Sequence, residues 1–307
     1  MAIPIIFIHK GDSFYLKYAL ENARKFNPNS RIILVGDNVT QYPSFVEYYD
    51  LKNYDKSALE FKKVYKHMSN NNEEIERFCF ERWFILNEFL KKNKIKKCLT
   101  LDSDVLIFVN VTNDSKKFNK FKFTLANHSS GEFMFVNDYK EINKLTRFLF
   151  NLYSNKKMFM ILDNFWKNYP FKTSFGGVND MTALSEYYKQ NKKKIGEISK
   201  IINGETYDTQ INASQGMIME NNTKKIIFEN GIPFGFLKKN NKKIKLCCLH
   251  CAGPTKFYMK YYSKGRNINF LEKLKINFLM NFRDNYSQLL NNKQRIFLKK
   301  VLIKFGF

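Results

Sequence analysis

The segment that decides the fold reads IPIIFIHKGDSFYLKYALENARKFNPNSRIILV and spans Ile3–Val35. The apolar run Ile3–Ile8 predicts a buried strand, apolar residues at helical spacing over Phe14–Ala23 predict a helix, and Arg31–Val35 predicts a second buried strand. Two strands joined by a helix within about 30 residues form a βαβ unit, in which the strands are parallel and helices cover the sheet. The segment therefore predicts an α/β fold built on a mixed, mostly parallel sheet flanked by helices.

Further strands and helices are predicted along the rest of the chain. Strands are expected over Val46–Tyr49, Lys97–Leu101, Phe121–Ala126, Phe133–Val136, Lys224–Phe228 and Ile244–Leu249, and helices over Ile75–Asn93, Tyr139–Tyr153 and Met181–Gln190. Ligands of open α/β sheets bind outside the carboxyl ends of the strands. The candidate functional residues are therefore His9–Gly11, Asp37 and those that follow Leu101.

Composition limits the classes of function. The chain of 307 residues carries 52 Lys and Arg against 28 Asp and Glu, a formal net charge of +24. This surplus favours an anionic partner such as nucleic acid, acidic lipid or a phosphorylated substrate, although a proteome rich in Lys and Asn would produce it too. A hydrophobic content of 44% excludes wholesale disorder.

Targeting signals and cysteines bear on the compartment. No run of 18 apolar residues predicts a spanning helix, and the opening residues resemble a buried strand more than a signal peptide, because no basic stretch precedes them and no small-residue cleavage site follows. Five cysteines without regular spacing favour free thiols in a reducing environment. We expect a cytoplasmic protein.

Two carboxylates, Asp102 and Asp104, follow the predicted strand that ends at Leu101. Burying unpaired carboxylates at a strand end is costly, so a cation is expected between them or nearby. Mg²⁺ and Mn²⁺ take carboxylate oxygens and share them with a diphosphate. The alternative is a strand-end loop that is acidic without a function.

The run Leu246–Lys256, LCCLHCAGPTK, is the second notable feature. Cysteines next to His250 suggest zinc, but residues 247, 248, 250 and 251 lack the two-residue gaps of zinc knuckles, and no partner pair appears elsewhere. The favoured interpretation is a strand that presents His250 as a neutral imidazole ligand, followed by a glycine turn and by Lys256 directed at phosphate. A histidine without a site role is the remaining alternative.

Together these features resemble glycosyltransferases of the GT-A type, which hold a divalent ion with a strand-end Asp-x-Asp and often with a C-terminal histidine. The segment Leu249–Lys256 matches their Leu-His-x-x-Gly-x-x-Lys pattern at every specified position. Segments similar to Phe78–Leu86, Asn179–Leu184 and Tyr207–Asn212 occur in a bacterial, largely cell-envelope-associated branch. The resemblance runs from Ile3 to about Lys260. Departures from the pattern are Cys251 and Ala252, in place of the usual aromatic residue and Gln, and the Gly176-Gly177 pair.

The resemblance implies a GT-A-like, Rossmann-like fold and a metal-dependent transfer of a sugar from a nucleotide diphosphate, expected to be a UDP-sugar, to an acceptor hydroxyl. The acceptor would be a glycan or lipid-linked glycan in the synthesis of surface polysaccharide, lipopolysaccharide or capsule. The metal, Mn²⁺ or Mg²⁺, would be held by Asp102, Asp104 and His250. The candidate substrate-binding residues are His9, Asp37, Arg82, Asp102, Ser103, Gly131, Asp208, Gly253 and Lys256.

Several of these candidates keep an alternative. Asp180 would face the acceptor hydroxyl as a general base or anchor, or would cap a helix N-terminus. Asp37 is a nucleoside ligand or a turn former, and Gly131 belongs to the wall of the sugar pocket or to a plain loop. Arg82 reaches the nucleotide or pairs with Glu81 and its neighbours on the helix.

The chain is expected to form one catalytic domain, residues 1–260, with a nucleotide-binding half of about 1–110 and an acceptor half of about 111–260. The remaining residues, 261–307, form a basic tail with ten Lys and Arg against Glu272 and Asp284. Apolar residues of the segment 292–307 cover an arc of about 140° on a helix. This pattern favours a peripheral contact with an anionic membrane surface, and the alternative is an ordinary helix packed on the domain.

Three other functions are weighed against glycosyl transfer. A basic protein that binds nucleic acid or membrane without catalysis would explain the charge but not the ordered Asp-x-Asp and His, so no nucleic acid is expected as a partner. A phosphatase or phosphotransferase with Asp102 as nucleophile normally has Thr or Val where Leu106 stands, and its motif usually opens the chain. A sugar-nucleotide pyrophosphorylase would have a glycine-rich loop after the first strand.

Overall fold

Fifteen strands lie in the part of the chain described by this computed structural model, residues 2–170 and 176–286. They are β1 (Ile5–Lys10), β2 (Ile32–Asp37), β3 (Val46–Asp50), β4 (Cys98–Leu101), β5 (Val105–Ile107), β6 (Phe123–Leu125), β7 (Phe133–Val136), β8 (Ile195–Glu197), β9 (Glu205–Thr206), β10 (Met219–Glu220), β11 (Thr223–Lys224), β12 (Ile227–Glu229), β13 (Ile232–Phe236), β14 (Lys243–Leu246) and β15 (Cys248–His250).

The same residues form nine α-helices. They are α1 (Leu16–Phe26), α2 (Lys56–Val64), α3 (Glu73–Lys92), α4 (Val111–Asp114), α5 (Tyr139–Ser154), α6 (Lys156–Lys167), α7 (Asp180–Asn191), α8 (Met259–Tyr262) and α9 (Phe270–Tyr286). Short 3₁₀ segments lie at Leu51–Tyr54, Ser115–Phe118 and Gly253–Tyr258.

The central sheet has seven strands in the order β3-β2-β1-β4-β7-β6-β8. Strand β1 is parallel to both β2 and β4, and β3 and β8 are also parallel to their neighbours, whereas β7 runs antiparallel to β4 and β6. The apolar runs explain the centre of the sheet, because Ile5, Ile6 and Phe7 are fully buried between two covered faces. The predicted mixed, mostly parallel α/β fold is confirmed.

Two hydrophobic clusters cover the two faces of this sheet. One cluster contains residues of α1, β5 and β15, and the other contains residues of α2, α3, α5 and α7. Helix α3 begins where the Asn72 side chain accepts a hydrogen bond from Ile75 N, and three glutamates lie in its first turn. Both features stabilise a helix N-terminus. The apolar side of α3, with Phe80, Trp83 and Phe89, is buried against the sheet.

Two predicted strands are each divided in the structure. The segment predicted as Ile244–Leu249 forms β14, which joins the four-stranded sheet β12-β13-β14-β9, and β15, which pairs with β5. Between them, Cys247 N donates to Thr206 O at 2.8 Å and Cys247 O accepts from Phe108 N at 2.9 Å, so this residue joins two sheets. The segment predicted as Lys224–Phe228 is divided in the same way into β11 and β12.

Helices α2 and α6 were not predicted from the sequence, and α9 falls within the predicted basic tail. Within residues 2–170 and 176–286, no helix has both the length and the apolar character that crossing a bilayer requires. The predicted amphipathic segment 292–307 lies outside the described residues.

Candidate active site

The loop Asp102–Asp104 joins β4 to β5 and is fixed at both ends by backbone hydrogen bonds. Asp102 N donates to Glu132 O (2.9 Å), and Asp102 O accepts from Val105 N (3.1 Å). Asp104 O accepts from Cys251 N (2.9 Å), which ties the loop to the strand that carries His250. Both carboxylates therefore stand on a rigid turn at the carboxyl end of a central strand.

Strand β15 brings His250 to this loop. It pairs antiparallel with β5, so that His250 lies opposite Val105, the residue after Asp104. His250 Nδ1–H donates to Thr209 O (2.5 Å), and Nε2 lies 3.4 Å from the nearer Asp104 oxygen. One ligand atom from each of Asp102, Asp104 and His250 lies within 4.8 Å of the others.

Two cations compensate the carboxylates. Lys256 Nζ lies 3.1 Å from Asp104 Oδ2, and the Arg82 guanidinium bonds to Asp102 and, at 2.9 Å, to Asp180 Oδ2. Arg82 therefore pairs across the cleft and not with Glu81, whose partner is Arg77. One guanidinium links the carboxylate loop to the start of α7.

These contacts shift the pKa values of the buried groups. Burial alone would raise the pKa of Asp104, but His250 and Lys256 outweigh it and hold that pKa well below its usual range. Burial alone would lower the pKa of His250, but the Asp104 carboxylate raises it to about 10. Burial raises the pKa of Asp102 in spite of Arg82. The site is thus a compact set of opposite charges in which each carboxylate has a cationic partner.

The donor set fits a divalent cation. Two carboxylates and one imidazole are ligands that Mn²⁺ accepts readily, and Mg²⁺ accepts the carboxylates. The hydrogen bond from Nδ1 to Thr209 O leaves Nε2 of His250 as the nitrogen that faces the carboxylates. Metal-bound histidines commonly donate their other N–H to such a partner.

A cleft of about 520 Å³ opens in front of this group. Its walls come from the end of β1, from α3, from the Asp102–Asp104 loop and from Lys256. On the floor, His9 Nδ1 hydrogen-bonds to Ser103 Oγ (2.8 Å) and His9 Nε2 to Ser13 Oγ (3.1 Å). Burial lowers the pKa of His9 to about 4, so the ring is neutral at neutral pH. Ligand pockets of small molecules have volumes of roughly 300–1,000 Å³.

Asp180 is the first residue of α7 and is buried, outside the lining of the cleft. The N-cap of α7 is Asn179, whose side chain accepts from Thr182 N, so the capping alternative for Asp180 is wrong. Asp180 Oδ2 instead accepts from Arg82 and, at 3.1 Å, from Trp83 Nε1. Two donors on α3 hold the carboxylate in one orientation.

Gly131 and Gly253 are required by the local backbone and packing. A Cβ at Gly131 would overlap the Trp83 ring, so only glycine lets the loop before β7 approach α3 here. Gly253 has a φ of +59°, a left-handed conformation that favours glycine, at the turn that leads to Lys256.

Asp37 and Asp208 lie outside the lining of the cleft. Asp37 ends β2 and lines a separate cavity of about 140 Å³, where its carboxylate is 4.0 Å from Lys52 Nζ. Asp208 is fully buried behind β15, where it bonds to Lys224 and accepts from His250 N at 3.1 Å. In this arrangement, Asp208 contacts the strand of the site and not the cleft.

Glu132 and Lys224 are buried charged residues that no sequence pattern indicates. Glu132 precedes β7 and is 2% exposed, and neither carboxylate oxygen makes a hydrogen bond of normal geometry with a described residue. Burial raises its pKa to about 7. A single Glu or Lys beside an apolar run carries no periodic signal, and only the tertiary structure shows that these two are buried.

In the part of the chain that the structure describes, the three cysteines of the run Leu246–Lys256 do not come together as a set of metal ligands. Among the described residues, the ligand groups that cluster are Asp102, Asp104 and His250, and Asp114, Glu205 and Cys247. Neither contains two cysteines. In the second, the Lys117 amine bonds to both carboxylates, so an ammonium group already lies between them.

No family model matches the chain, and a search of curated proteins finds no relative. Among solved structures, the fold is similar to mouse xyloside xylosyltransferase 1 in its apo form, at 9% identity and a TM-score of 0.46 over 68% of this chain and 89% of that one. It is also similar to the galactosyltransferase LgtC in complex with donor and acceptor sugar analogs, at 11% identity and a TM-score of 0.45 over 91% and 95%. Apo WbbM, a bifunctional glycosyltransferase, gives 10% identity and a TM-score of 0.47 over 91% of this chain and 51% of that one. Likenesses at these identities and TM-scores assign no activity to this chain.

Proposed function

We propose that the protein is a metal-dependent glycosyltransferase that moves a sugar from a nucleotide-diphosphate donor, a UDP-sugar, to an acceptor hydroxyl. The observation that carries the proposal is the convergence of Asp102, Asp104 and His250 beside a cleft of about 520 Å³, with Lys256 next to them. Three oxygen and nitrogen ligands plus a flanking ammonium suit a diphosphate bound through a cation.

The residues have separate tasks in such a transfer. Asp102, Asp104 and His250 would hold Mn²⁺ or Mg²⁺, which supplies positive charge for the leaving diphosphate. Lys256, 3.1 Å from Asp104 and partly exposed, is placed to turn towards the phosphates and to add a second positive charge. The neutral His9 ring keeps Ser103 in place on the floor of the cleft.

The acceptor side is proposed to begin at Asp180. Its carboxylate is linked to the donor side through Arg82, which also binds Asp102. We assign Asp180 to the acceptor hydroxyl, as a base or an anchor, within an acceptor half of about 111–260 that follows a nucleotide-binding half of about 1–110. Gly131, beside Trp83, would form part of the sugar pocket.

A donor screen tests this function. Purified protein is incubated with a panel of nucleotide sugars, and nucleotide release is measured with Mn²⁺ and again with EDTA. We expect release from one donor class that EDTA abolishes and that Mn²⁺ restores. Retention on heparin with no release from any donor would instead favour a basic nucleic-acid-binding protein.

We propose that the basic tail, residues 261–307, contacts the anionic inner face of a membrane. The protein would then be cytoplasmic, and its acceptor would be a lipid-linked glycan. In α9, four apolar residues at helical spacing are between 50% and 74% exposed: Phe270, Leu271, Leu274 and Phe278. Lys273 and Lys275 lie on the same helix. An exposed apolar stripe with flanking lysines is typical of helices that lie in a membrane interface.

Deleting residues 292–307 tests the membrane proposal. The segment removed carries five basic residues, each worth on the order of 1 kcal/mol near an anionic surface, an attraction that salt weakens. We expect the truncated protein to leave anionic vesicles in sedimentation, the full chain to leave them only at high salt, and turnover of a soluble acceptor to be unchanged. Equal sedimentation of both proteins would contradict the role of residues 292–307, and a full chain that does not sediment with anionic vesicles at low salt would contradict the membrane proposal as a whole, including α9.

A further inference from the structure

Lys224 is a lysine without solvent contact. Its side chain and that of Asp208 are both 0% exposed, and the two form an ion pair. The ammonium also donates to Gln210 O at 2.9 Å and to Gln215 Oε1 at 2.5 Å, so its three hydrogens all have acceptors. Lysine is almost never fully buried unless it is paired, because removing the charge from water is costly. An ion pair in this place therefore calls for an explanation beyond packing.

The pair fixes the segment 208–211 against β15. Asp208 accepts at Oδ2 from His250 N (3.1 Å), and Ile211 N donates to His250 O (3.0 Å). Lys224 N in turn donates to Ile211 O (2.6 Å). Both backbone polar groups of His250 are thus bound to a segment that Lys224 holds with its backbone and its side chain.

The same segment also fixes the orientation of the His250 imidazole ring. Thr209 O, between the two backbone contacts, accepts from His250 Nδ1 at 2.5 Å. Nδ1 therefore carries a proton, and Nε2 is the nitrogen directed at Asp104, 3.4 Å away. The partner of one imidazole nitrogen decides which nitrogen is available to a metal, and changes to such partners cost 10–100-fold in metal affinity.

We propose that Lys224, through Asp208 and the segment 208–211, is a positioning residue that holds His250 in the orientation that a divalent cation requires, with Nδ1 on Thr209 O and Nε2 towards the carboxylates. The inference rests on the proposed function for the cation, but the arrangement of His250 is a property of the metal-free protein. Lys224 does not line the cleft, so its effect on the site would pass through Asp208 and His250.

The test uses histidine NMR and Mn²⁺ binding in the full chain. The protein has four histidines, so ¹⁵N-labelled histidine gives a simple spectrum in which the Nδ1 proton of His250 can be followed without metal. The test variant Lys224→Met/Asp208→Asn removes both buried charges and keeps an oxygen that can accept from His250 N. The control is Glu141→Gln/Lys144→Met, an ion pair of 3.0 Å with a buried carboxylate on α5.

We expect the test variant to lose the hydrogen-bonded Nδ1 signal of His250 and to bind Mn²⁺ 10–100-fold more weakly, while the control changes neither. A folded test variant with an unchanged Nδ1 signal would overturn the proposal. If this variant does not fold, the double variant Lys224→Gln/Asp208→Asn is measured in its place, because it also leaves neither charge buried alone, and an unchanged signal there has the same meaning. A wild-type protein that binds no Mn²⁺ would refute the proposed function, and the Nδ1 signal would still decide the role of Lys224.

Discussion

Two groups of opposite charges meet at His250, one on the cleft side and one behind it. On the cleft side, Asp104 and Lys256 are 13% and 22% exposed, whereas behind the strand Asp208 and Lys224 are 0% exposed. The pairs have the same chemistry and differ in their access to solvent. The Asp104 carboxylate borders the cleft beside a partly exposed lysine, whereas the Asp208 carboxylate is enclosed and bonded to the strand that carries His250.

The energetics of the two groups differ accordingly. Breaking a buried ion pair by removing one partner typically costs about 3–5 kcal/mol of stability, because the other charge stays buried. Water partly screens a pair that keeps contact with solvent, so such a pair is expected to contribute less. Mutations of the cleft group should therefore affect turnover more than folding, and mutations of the buried group should do the reverse.

The largest expected effect is that of Asp104→Ala. We expect turnover, measured as nucleotide release, to fall at least about 1,000-fold, equivalent to about 4 kcal/mol, since the variant removes a proposed metal ligand. Thermal unfolding checks that the variant is folded at the temperature of the assay. Glu229→Ala, which removes an exposed partner of Lys243, is the control and should keep full turnover. Turnover of Asp104→Ala at the wild-type rate would refute the metal site.

The next effect concerns Glu132, a buried carboxylate that belongs to neither group. Its pKa is about 7 in the folded protein against 4.5 as the ordinary value, so the folded state retains its proton while the unfolded state loses it between these pH values. Stability should fall as pH rises from 4.5 to 7, by about 3 kcal/mol in total. Glu132→Gln avoids this loss, so urea unfolding of metal-free protein should show a gain of about 3 kcal/mol at pH 8 and almost none at pH 4.

The exposed residue Glu229 supplies the control for this measurement. Glu229→Gln should shift the free energy of unfolding by similar small amounts at both pH values. An equal gain for Glu132→Gln at pH 4 and pH 8 would mean that the side chain is hydrated and not buried as described.

The smallest of the three effects is that of His250→Ala. We expect Mn²⁺ to bind 10–100-fold more weakly, with part of the turnover retained because the carboxylates and the diphosphate still hold the ion. Calorimetric titration with Mn²⁺ measures the affinity, and a crystal with Mn²⁺ and a nucleoside diphosphate locates the ring. A His250 ring beyond ligand distance in that crystal would exclude it from the metal site.

The sequence predicts the centre of the fold well and its edges poorly. Apolar runs such as Ile5–Ile8 indicate buried strands because a strand covered on both faces has no polar side. Residues 244–249 form a similar run, yet they belong to two sheets, because Cys247 donates a hydrogen bond to Thr206 O and accepts one from Phe108 N between the two strands. Those partners are distant in the chain, and no local pattern reveals them.

The candidate site is likewise predicted from the sequence only in part. Asp102 and Asp104 are recognisable because they end a buried strand, and His250 is linked to them by a resemblance to a family, whereas spacing alone gives no contact between residues so far apart. Lys224 and Asp208 are sixteen residues apart, in a part of the chain without regular periodicity. A buried lysine has the same letter as an exposed one, so only the packed structure distinguishes it.

The buried pair also has a consequence for how this sequence can drift. Replacing Lys224 alone leaves the Asp208 charge enclosed, and replacing Asp208 alone strands the ammonium, so each single step passes through an unstable intermediate. A neutral, well-packed substitute at both positions would be tolerated far better than either step. We therefore expect descendants of a common ancestor to keep these two residues together or to exchange both within a short evolutionary interval.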